Sequence, residues 1–520
     1  MLRNYHDQEV IQFLAYGWPI NFTGSPSPPV IPRNHRGATD HPQEIRKYLQ
    51  KEVEHKSVIG PFHEIPFSVA MLSPLNTTDK KDSNEKRIII DHSFRSDGIS
   101  SVNENIDMND YFGTSMKLSY PSIDTLVQFV LQVGKGALLY KRDIRRCYRQ
   151  IPTDPKDAHL LGYHFDNHFY FDISLPMGLS SAAYCAQRTT NMIKFIATEI
   201  GLLIANYLDD FGGVSPPTEA LDHYLALGRL LRNSGVEENV DKATPPNERM
   251  IFLGILFDSL AMTLSIPPDK LQEIFDLLRT WEHKETMTRH ELESLIGKLN
   301  HIAQCVRPGR IFIARLLAGL RGLPRKGRFP IDPEMKKDII WWQRHATLFN
   351  GISQIPQAPW GEPNTLISCD ATLQGCGGWL EPGHYFREKF PIEIANKHLH
   401  ISALEMLTLL ITVKVWISKC ESNRLQIYSD NMATVIAVNT GKSRDPFMNA
   451  CLRELCYILC KYNCELKVRH ISTKLNTFPD LLSRWHSDPN APAMFAKLTV
   501  NRKTKRIRIP KHMFYSFYNW

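Results

Sequence analysis

Several features that define other classes of protein are missing from this chain of 520 residues. No segment approaches the ~18 consecutive apolar residues of a membrane-spanning helix, and the N-terminal "MLRNYHDQEV" lacks the apolar core of a secretory signal. No internal repeat is present, and none of the ten cysteines forms a CxxC pair. We therefore expect a soluble intracellular protein of the cytoplasm and/or nucleus, with reduced thiols and no membrane partner.

One cluster of cysteines invites a metal-binding interpretation. The stretch "CLRELCYILCKYNC" places them among Leu and Ile at helical spacing. Zinc ligands usually come in closer pairs, so the pattern favours the packing of a helix over a metal site. The residues concerned are Cys451, Cys456, Cys460 and Cys464.

The composition is that of a globular protein with a mild basic excess. Hydrophobic residues make up 43% and charged residues 22%, and the net charge is +8. At roughly 150 residues per domain, the length predicts about three compact units. The charge is compatible with a polyanionic partner but does not establish one.

The chain divides into segments of different character. Residues 1 to 60 begin loop-like, as in "NFTGSPSPPVIPRNH", and continue into a charged helix, "HPQEIRKYLQKEVEH". Alternating strands and helices then extend to about residue 262, followed by an all-helical stretch and a Pro/Gly/Arg-rich junction. A second alternating region covers residues 363 to 485 and leads into a basic tail. The fold class expected is a multidomain α+β or α/β protein.

Paired acids in "NYLDDFGGV" raise the first question of function. Asp209 and Asp210 follow an apolar strand, and Asp143 ends another strand in "LLYKRDIRRCYRQIP". Acids also favour turns for local reasons, so the pair alone is weak evidence. Three carboxylates around one point would suit two Mg²⁺ ions that bind the oxygens of a phosphoryl transfer.

Five motifs surround and include these acids, in the order "KRIIIDHSFRSDGIS", "KRDIRRCYRQIP", "SLPMGLSSAAYCAQR", "YLDD" and "NVDKATPPNERMIFLGILFD". They resemble the motifs of reverse transcriptases, in the order that this family shows. The resemblance implies a right-hand polymerase of fingers, palm and helical thumb. Within the retroelement enzymes, "YGWPINF" and the layout resemble DIRS-like (tyrosine-recombinase) retrotransposons.

The resemblance assigns a role to individual residues. Asp143, Asp209 and Asp210 match the catalytic metal-binding triad. Tyr148 matches the aromatic residue that excludes a 2′-hydroxyl, although a plain core tyrosine is the alternative. The remaining matches contact the incoming nucleotide, and the two cations among them could also be ordinary surface charges: Arg87, Lys242, Met177 and Gly178. Met177 and Ala183 depart from the expected Gln or Phe and Pro. "FLGIL" resembles the hairpin that grips the primer, or a plain buried strand.

A second ordered set of acids follows the junction. Asp370 lies on a strand in "LISCDATLQGCGGWL", Glu405 on a helix, Asp430 at a strand end and Asp480 at a helix start. This order of acids resembles that of ribonuclease H. The resemblance makes all four catalytic metal ligands, again with two Mg²⁺ ions or possible Mn²⁺ replacements. His470 in "VRHISTKLNTFPDLLSRW" matches the histidine that assists product release or proton movement.

The two resemblances together predict a domain order. Residues 1–60 form an N-terminal extension, 61–264 fingers and palm, 265–322 the thumb, 323–362 a connecting segment, 363–486 a ribonuclease H-like domain and 487–520 a basic tail. The implied partners are an RNA template, a DNA primer, RNA–DNA hybrid and deoxynucleoside triphosphates. Without a protease, integrase or recombinase segment in view, we expect one piece of a larger element. The oligomeric state is left open.

Basic side chains outside the motifs are candidates for phosphate contacts or, equally, solvated charges. On the thumb and junction they are Lys298, Arg307, Arg310, Arg315, Arg321, Arg325, Lys326 and Arg328. In the tail they are Arg502, Lys503, Lys505, Arg506, Arg508 and Lys511. Two rival functions stay open: a decayed or domesticated nucleic-acid-binding relic, and an RNA-templated RNA polymerase, which Tyr148 and the nuclease segment disfavour.

Overall fold

The structure, a computed structural model, describes residues 2–25, 29–79, 85–95, 100–349, 352–355, 366–419, 424–462 and 464–515. The chain forms two compact units, Met1–Met262 and Thr263–Trp520. Both mix helices and strands, as the alternating patterns predict. No helix in the described ranges has the length and apolar character that a membrane crossing requires.

The first unit contains six α-helices and eleven strands among its described residues. The helices are α1 Glu9–Tyr16, α2 Arg36–Asp40, α3 Pro42–Glu54, α4 Ile123–Val133, α5 Ala182–Glu199 and α6 Ala220–Asn233. The strands are β1 Val58–Phe62, β2 Leu75–Asp79, β3 Lys86–Ile90, β4 Leu138–Asp143, β5 Gly162–Phe165, β6 His168–Asp172, β7 Leu203–Tyr207, β8 Asp210–Ser215, β9 Thr244–Asn247, β10 Arg249–Phe252 and β11 Ile255–Asp258.

One antiparallel sheet, in the order β7-β8-β4-β9, is the centre of this unit. β7 and β8 form a hairpin, and β4 pairs with β8 from Leu138 opposite Ser215 to Asp143 opposite Asp210. Helix α5 packs against the sheet with a largely buried surface that includes polar residues such as Gln187 and Thr190 as well as apolar ones. "FLGIL" forms the turn of the β10–β11 hairpin, in which Leu253 and Gly254 both have positive φ angles, 48° and 74°. A plain continuous strand is therefore the wrong interpretation of this segment.

The prediction of a loop-like start to the chain is wrong for Glu9–Tyr16, which form α1, whereas the stretch "NFTGSPSPPVIPRNH" contains no helix or strand among its described residues. Helix α1 and the residues after it pack into the core of the first unit, where Trp18 and Ile20 are fully buried. Arg188 of α5 explains this docking, because its guanidinium pairs with Asp7 at 2.6 Å and lies 5.3 Å from the ring of Trp18. An abundance of proline and asparagine hid these apolar anchors. The charged helix predicted next is α3.

The second unit contains ten α-helices and ten strands among its described residues. The helices are α7 Pro268–Glu282, α8 Arg289–Ile302, α9 Ala314–Gly322, α10 Pro333–Phe349, α11 Ile392–Ala395, α12 Ile401–Trp416, α13 Met432–Thr440, α14 Pro446–Lys461, α15 Thr477–Ser483 and α16 Ala491–Leu498. The strands are β12 Thr263–Ser265, β13 Thr286–Met287, β14 Phe329–Pro330, β15 Ile352–Gln354, β16 Ile367–Ala371, β17 Gly375–Leu380, β18 His384–Lys389, β19 Arg424–Ser429, β20 Glu465–His470 and β21 Lys505–Arg506.

A six-stranded mixed sheet, β20-β19-β16-β17-β18-β21, organises this unit. Helix α12 is buried against β16, and α15 contacts β16 and β17. Most of the cysteine-rich stretch lies in α14, where Cys451 is buried as the packing interpretation predicts, whereas Cys464 follows the end of the helix and is also buried. The side chain of Cys460 lies outside the described residues.

The basic tail folds onto the second unit rather than extending from it. α16 packs its Phe495 near Trp379, and β21 pairs in parallel with β18. Arg502 and Arg506 form ion pairs with Glu381 at 2.9 Å and Glu388 at 3.0 Å. A solvated extension therefore does not describe the part of the tail up to residue 515.

Candidate active sites

Strand register brings the three aspartates of the first site to one end of the central sheet. Asp143 ends β4 directly opposite Asp210, the first residue of β8. Asp209 lies in the turn before it, next to Leu208, which adopts a left-handed conformation with φ 51°. The backbone N–H of Ile144 donates to the carbonyl oxygen of Asp209 at 2.9 Å, which joins the turn to the end of β4.

Two lysines offset the charge of these acids. Lys242 Nζ lies 3.3 Å from Asp143 Oδ2, and Lys141 Nζ lies 3.3 Å from Asp210 Oδ1. Burial nevertheless raises the pKa of Asp143. Lys242 lowers this pKa, and the negative charges of Asp209 and Asp210 raise it further. Burial likewise raises the pKa of Asp209. The site therefore favours a bound cation over further bare negative charge.

A buried amide network on α5 holds the turn that carries the paired aspartates. Gln187, fully buried, accepts the N–H of Leu208 through Oε1 at 2.8 Å and donates to the carbonyl of Asn206 at 3.2 Å. Asn206 donates in turn to Thr190 Oγ1 at 3.1 Å and Asn191 Oδ1 at 3.0 Å. These contacts stabilise the left-handed residue, since non-glycine residues adopt that conformation at a cost.

The nucleotide-contacting candidates occupy different positions around the first site. Tyr148 is half-buried in the short helix Cys147–Gln150, and burial raises its pKa to about 12. Met177 is 54% exposed beside Gly178, whose φ is 95°. Arg87 is exposed on β3. Within the described ranges, no hydrogen bond or ion pair joins Arg87, Met177 or Gly178 to the aspartates.

The second site brings three acids much closer together. Ligand oxygens of Asp370 on β16, Glu405 on α12 and Asp430 after β19 all lie within 4.8 Å of one another. Among the described residues this is the one group of three or more possible metal ligands that meets that distance. Asp370 accepts a hydrogen bond from Ser483 Oγ, and Glu405 Oε1 accepts the N–H of Ala371 at 3.0 Å.

Burial makes this cluster costly to ionise. It raises the pKa of Asp370 to about 7, with a further rise from Asp430 and Asp480. It also raises the pKa of Glu405 well above its usual range, and the charge of Asp370 adds to the rise. Neither Asp370 nor Glu405 has a cationic partner among the described residues, so a shared proton or a bound cation must relieve the repulsion.

The remaining residues of the second site lie at its edge. Asp480 is in the first turn of α15 and pairs with Arg484 at 2.8 Å. Burial raises the pKa of Asp480 against the effect of Arg484. His470 is exposed at the end of β20, opposite Ser429 and so next to Asp430 in register.

Both donor sets consist of carboxylates, whose oxygens are the protein ligands that Mg²⁺ prefers. Oε2 of Glu405 is buried and has no hydrogen-bond partner. An unpartnered buried carboxylate oxygen costs free energy that a cation ligand would relieve. Asp370, Glu405 and Asp430 therefore fit a divalent metal well, and the aspartates of the first site have the right chemistry.

Some of the basic candidates are committed to internal ion pairs. Lys298 pairs with Glu273 at 2.8 Å, and the largely buried Arg315 pairs with Asp338 at 3.2 Å. The exposed members are Arg310, Arg321, Arg325, Lys326 and Arg328. The side chain of Arg307 lies outside the described residues.

Comparison with known proteins shows which solved structures have a similar fold. No protein-family model and no curated protein sequence matches the chain. Solved structures of a foamy viral protease-reverse transcriptase match with a TM-score of 0.50 over 88% of this chain. The complex with RNA/DNA hybrid is 13% identical and is covered over 57% of its own chain. Two complexes with double-stranded DNA are 14% identical and are covered over 74% and 87%.

These likenesses define a class of fold. The chain has a mixed α/β multidomain fold of the retroviral reverse transcriptase type over most of its length. It spans little more than half of the hybrid-bound neighbour. At such low identity, the similarity concerns the arrangement of the backbone, and activity has to be argued from the two sites.

Proposed function

We propose that this chain is an RNA- and DNA-templated DNA polymerase that also cleaves the RNA strand of RNA–DNA hybrids. The observation that carries the proposal is the convergence of Asp370, Glu405 and Asp430 within 4.8 Å, in a chain with a reverse transcriptase-type fold. These acids are distant in sequence, and their shared burial costs stability without a bound cation. The register pair of Asp143 and Asp210 supports the polymerase half.

In the polymerase half, Asp143, Asp209 and Asp210 would hold Mg²⁺. Bound there, Mg²⁺ would lower the barrier to attack of a primer hydroxyl on a nucleoside triphosphate. Lys242, beside Asp143, would bind a triphosphate oxygen once the carboxylate has another partner. Tyr148 would exclude ribonucleotides, and Arg87, Met177 and Gly178 would border the incoming base and phosphates.

In the nuclease half, Asp370, Glu405, Asp430 and Asp480 would hold the metal ions that promote attack of water on a phosphodiester. Ser483 orients Asp370, and Arg484 restrains Asp480. His470 would carry a proton near Asp430. Cleavage of the hybrid that synthesis on RNA leaves behind would couple the two activities.

The domain boundaries and biological setting belong to the same proposal. Residues 61–264 would form fingers and palm, 265–322 the thumb, 323–362 the connection and 363–486 the nuclease. The enzyme would act in the cytoplasm or nucleus for a retrotransposon, and the DIRS-like assignment depends on "YGWPINF" and the layout of the chain. A decayed, binding-only relic is the alternative, and intact acid sets at both sites disfavour it.

The test is primer extension on an RNA template, together with cleavage of a labelled hybrid, using the purified full chain and Mg²⁺ or Mn²⁺. Asp210→Asn is expected to abolish DNA synthesis and leave hybrid cleavage, and Asp430→Asn to do the reverse. Asp222→Asn, at an exposed acid of α6, is the control and should change neither activity. Binding without either activity in the parent chain would support the relic.

A further inference from the structure

Arg188 is a buried cation that belongs to neither set of acids. It lies on α5 and is 9% exposed. Its Nε and Nη2 atoms donate to the two carboxylate oxygens of Asp7 at 2.7 and 2.6 Å, and Nη2 also donates to Glu9 at 2.9 Å. A guanidinium in a bidentate pair has a well-defined position. Four aromatic rings lie 5.1 to 5.7 Å from the guanidinium carbon and restrict it further: Phe13, Trp18, Tyr111 and Tyr184.

Most of these partners belong to one stretch of chain, residues 5–20, which we call the N-terminal clasp. It contains α1, both carboxylates that pair with Arg188, and the ring of Trp18. The clasp packs into the same core cluster as α5 and the short helix Cys147–Gln150. It is therefore in contact with elements that carry candidate polymerase residues.

One arm of the clasp reaches the chain that follows Tyr148. The N–H of Trp18 donates to the carbonyl of Pro152 at 2.8 Å, and the carbonyl of Trp18 accepts the N–H of Asp154 at 2.8 Å. Pro152 and Asp154 follow the short helix Cys147–Gln150, which carries Tyr148. Through Trp18 and the acids around Arg188, the clasp joins α5 to this helix.

Gly17 shows how closely this arm approaches the neighbouring backbone. Its φ is 103°, and a Cβ atom at this position would lie 2.4 Å from the carbonyl oxygen of Thr153. Glycine adopts this conformation at little cost and has no Cβ to collide. Any larger residue would push the clasp away from the chain after Tyr148.

The other arm of the clasp acts on the turn that carries the paired aspartates. Gln187 precedes Arg188 on α5, and its Oε1 atom accepts the N–H of Leu208 at 2.8 Å. Neighbouring residues of an α-helix point about 100° apart, so the two side chains reach different surroundings from one turn of helix. A shift of α5 that separated Arg188 from Asp7 would also move Gln187 away from Leu208.

We propose that Arg188 is a positioning residue for the polymerase site, through which the N-terminal clasp fixes α5 and the turn that carries Asp209 and Asp210. The inference rests on the proposed polymerase function and adds to it a segment distant in sequence from the acids. Arg188 acts through Gln187, which stabilises the left-handed Leu208. Loosening the clasp should slow DNA synthesis and leave hybrid cleavage unchanged.

Hydrogen exchange at the Leu208 amide tests the clasp without any measurement of activity. Asp7→Asn weakens the bidentate pair, so this amide should exchange at least threefold faster in the full chain, measured by mass spectrometry on peptides spanning residues 203–215. Asp166→Asn is the matched control, because Asp166 pairs with Arg46 at 2.5 Å at the β5–β6 turn of the same unit. It should leave the exchange unchanged. Asp7→Glu, which keeps the charge, should restore part of the protection.

The kcat of DNA synthesis gives the second measurement. Asp7→Asn should lower it at least threefold without changing hybrid cleavage. In a Gln187→Leu background, which already lacks the acceptor for the Leu208 N–H, Asp7→Asn should lower kcat no further. A purely structural role of the Asp7–Arg188 pair would instead give two effects that multiply.

Gly17→Ala tests the arm that reaches the chain after Tyr148. Gly17 and Gly134 both have a φ of 103°, so alanine has the same unfavourable φ at each, but a Cβ at Gly134 meets nothing within 4 Å. Gly17→Ala should lower the kcat of DNA synthesis at least threefold more than the matched control Gly134→Ala does. Equal effects of the two substitutions would remove this arm from the proposal.

The outcomes separate the clasp from the proposed function. Unchanged exchange at Leu208 in the Asp7→Asn protein, or effects of Asp7→Asn and Gln187→Leu that multiply, would overturn the inference while DNA synthesis by the parent chain stood. A parent chain that makes no DNA would remove the polymerase, and faster exchange in the Asp7→Asn protein would still sustain the clasp. If the Asp7→Asn protein unfolds, Glu9→Gln, at a half-exposed acid, decides by the same exchange measurement.

Discussion

Asp370→Asn is expected to stabilise the second unit in the absence of metal ions, and increasingly so as the pH rises. Burial raises the pKa of Asp370 to about 7 in the folded protein, against 3.8 as its ordinary value. At pH 4 the carboxyl is largely protonated when folded, and folding loses little. At pH 8 the unfolded chain is ionised, and the folded protein must ionise the same group among Glu405 and Asp430.

The size of the effect follows from this difference in pKa. Each pKa unit corresponds to about 1.4 kcal/mol, so the shift of about 3 units amounts to about 4 kcal/mol at most. The stability of the parent protein should fall between about pH 4 and pH 7 and level off above pH 7. The Asn side chain retains an oxygen that can accept the hydrogen bond from Ser483 Oγ. The variant should therefore keep this hydrogen bond and not lose stability between pH 4 and pH 7.

Urea unfolding in EDTA at pH 5, 6, 7 and 8, followed by circular dichroism, measures the effect. The difference in unfolding free energy between variant and parent should grow with pH up to about 7. Asp269→Asn, at an exposed acid of α7, is the control and should give a small difference that changes little with pH. A difference that is constant with pH, or that shows Asp370→Asn less stable at pH 8, would refute the electrostatic reasoning.

Adding Mg²⁺ to the same unfolding measurement gives a complementary experiment. A bound cation relieves the same repulsion, so adding it at pH 8 should stabilise the parent protein by about 1.4 kcal/mol at a concentration ten times Kd. The Asp370→Asn protein should gain much less. Equal stabilisation of both proteins would mean that the ion binds elsewhere.

Three further predictions concern the first unit. Gln187→Leu removes the acceptor for the Leu208 N–H and should lower the kcat of DNA synthesis at least tenfold without changing hybrid cleavage, whereas Thr198→Val at the far end of α5 should change neither. Tyr148→Ala should raise incorporation of ribonucleotides relative to deoxynucleotides, and an unchanged ratio would remove Tyr148 as the gate. Glu52→Gln removes the charge of a buried carboxylate that accepts from Arg146 at 2.8 Å and from Arg149 at 2.9 Å, on either side of Tyr148. The incorporation of ribonucleotides relative to deoxynucleotides should therefore rise in single-turnover assays. A loss of stability with an unchanged ratio would make Glu52 purely structural.

The proximity of Asp143 to Asp210, and of Asp370 to Asp430, could be predicted from the sequence because these acids lie at the ends of apolar strands or in the turn between two strands. Their catalytic roles stay a prediction. Asp143 is the last residue of β4 and Asp430 follows the end of β19, each in the sheet of its own unit. The partners of these acids could not be predicted. Lys141 lies two residues before Asp143 yet pairs with Asp210, because neighbouring strands, rather than neighbouring residues, decide the contact.

Gln187 and the start of the chain illustrate a second limit. Gln187 lies on a helix face that is buried, where a polar residue signals a specific hydrogen-bond partner, but the partner is distant in sequence. Trp18 is an apolar anchor within a segment of loop-like composition. In both cases, the information resides in tertiary packing, which local patterns of residues do not report.

The two sites control the repulsion between their acids in different ways. In the first site, Lys141 and Lys242 each pair with an aspartate. In the second, Asp370 and Glu405 pair with no cation in the part of the chain that the structure describes, and burial raises the pKa of both. Under the proposed function, metal binding at the second site would therefore release protons near neutral pH, whereas at the first it would displace lysine side chains. Hybrid cleavage should consequently depend more steeply on pH between 6 and 8 than DNA synthesis does.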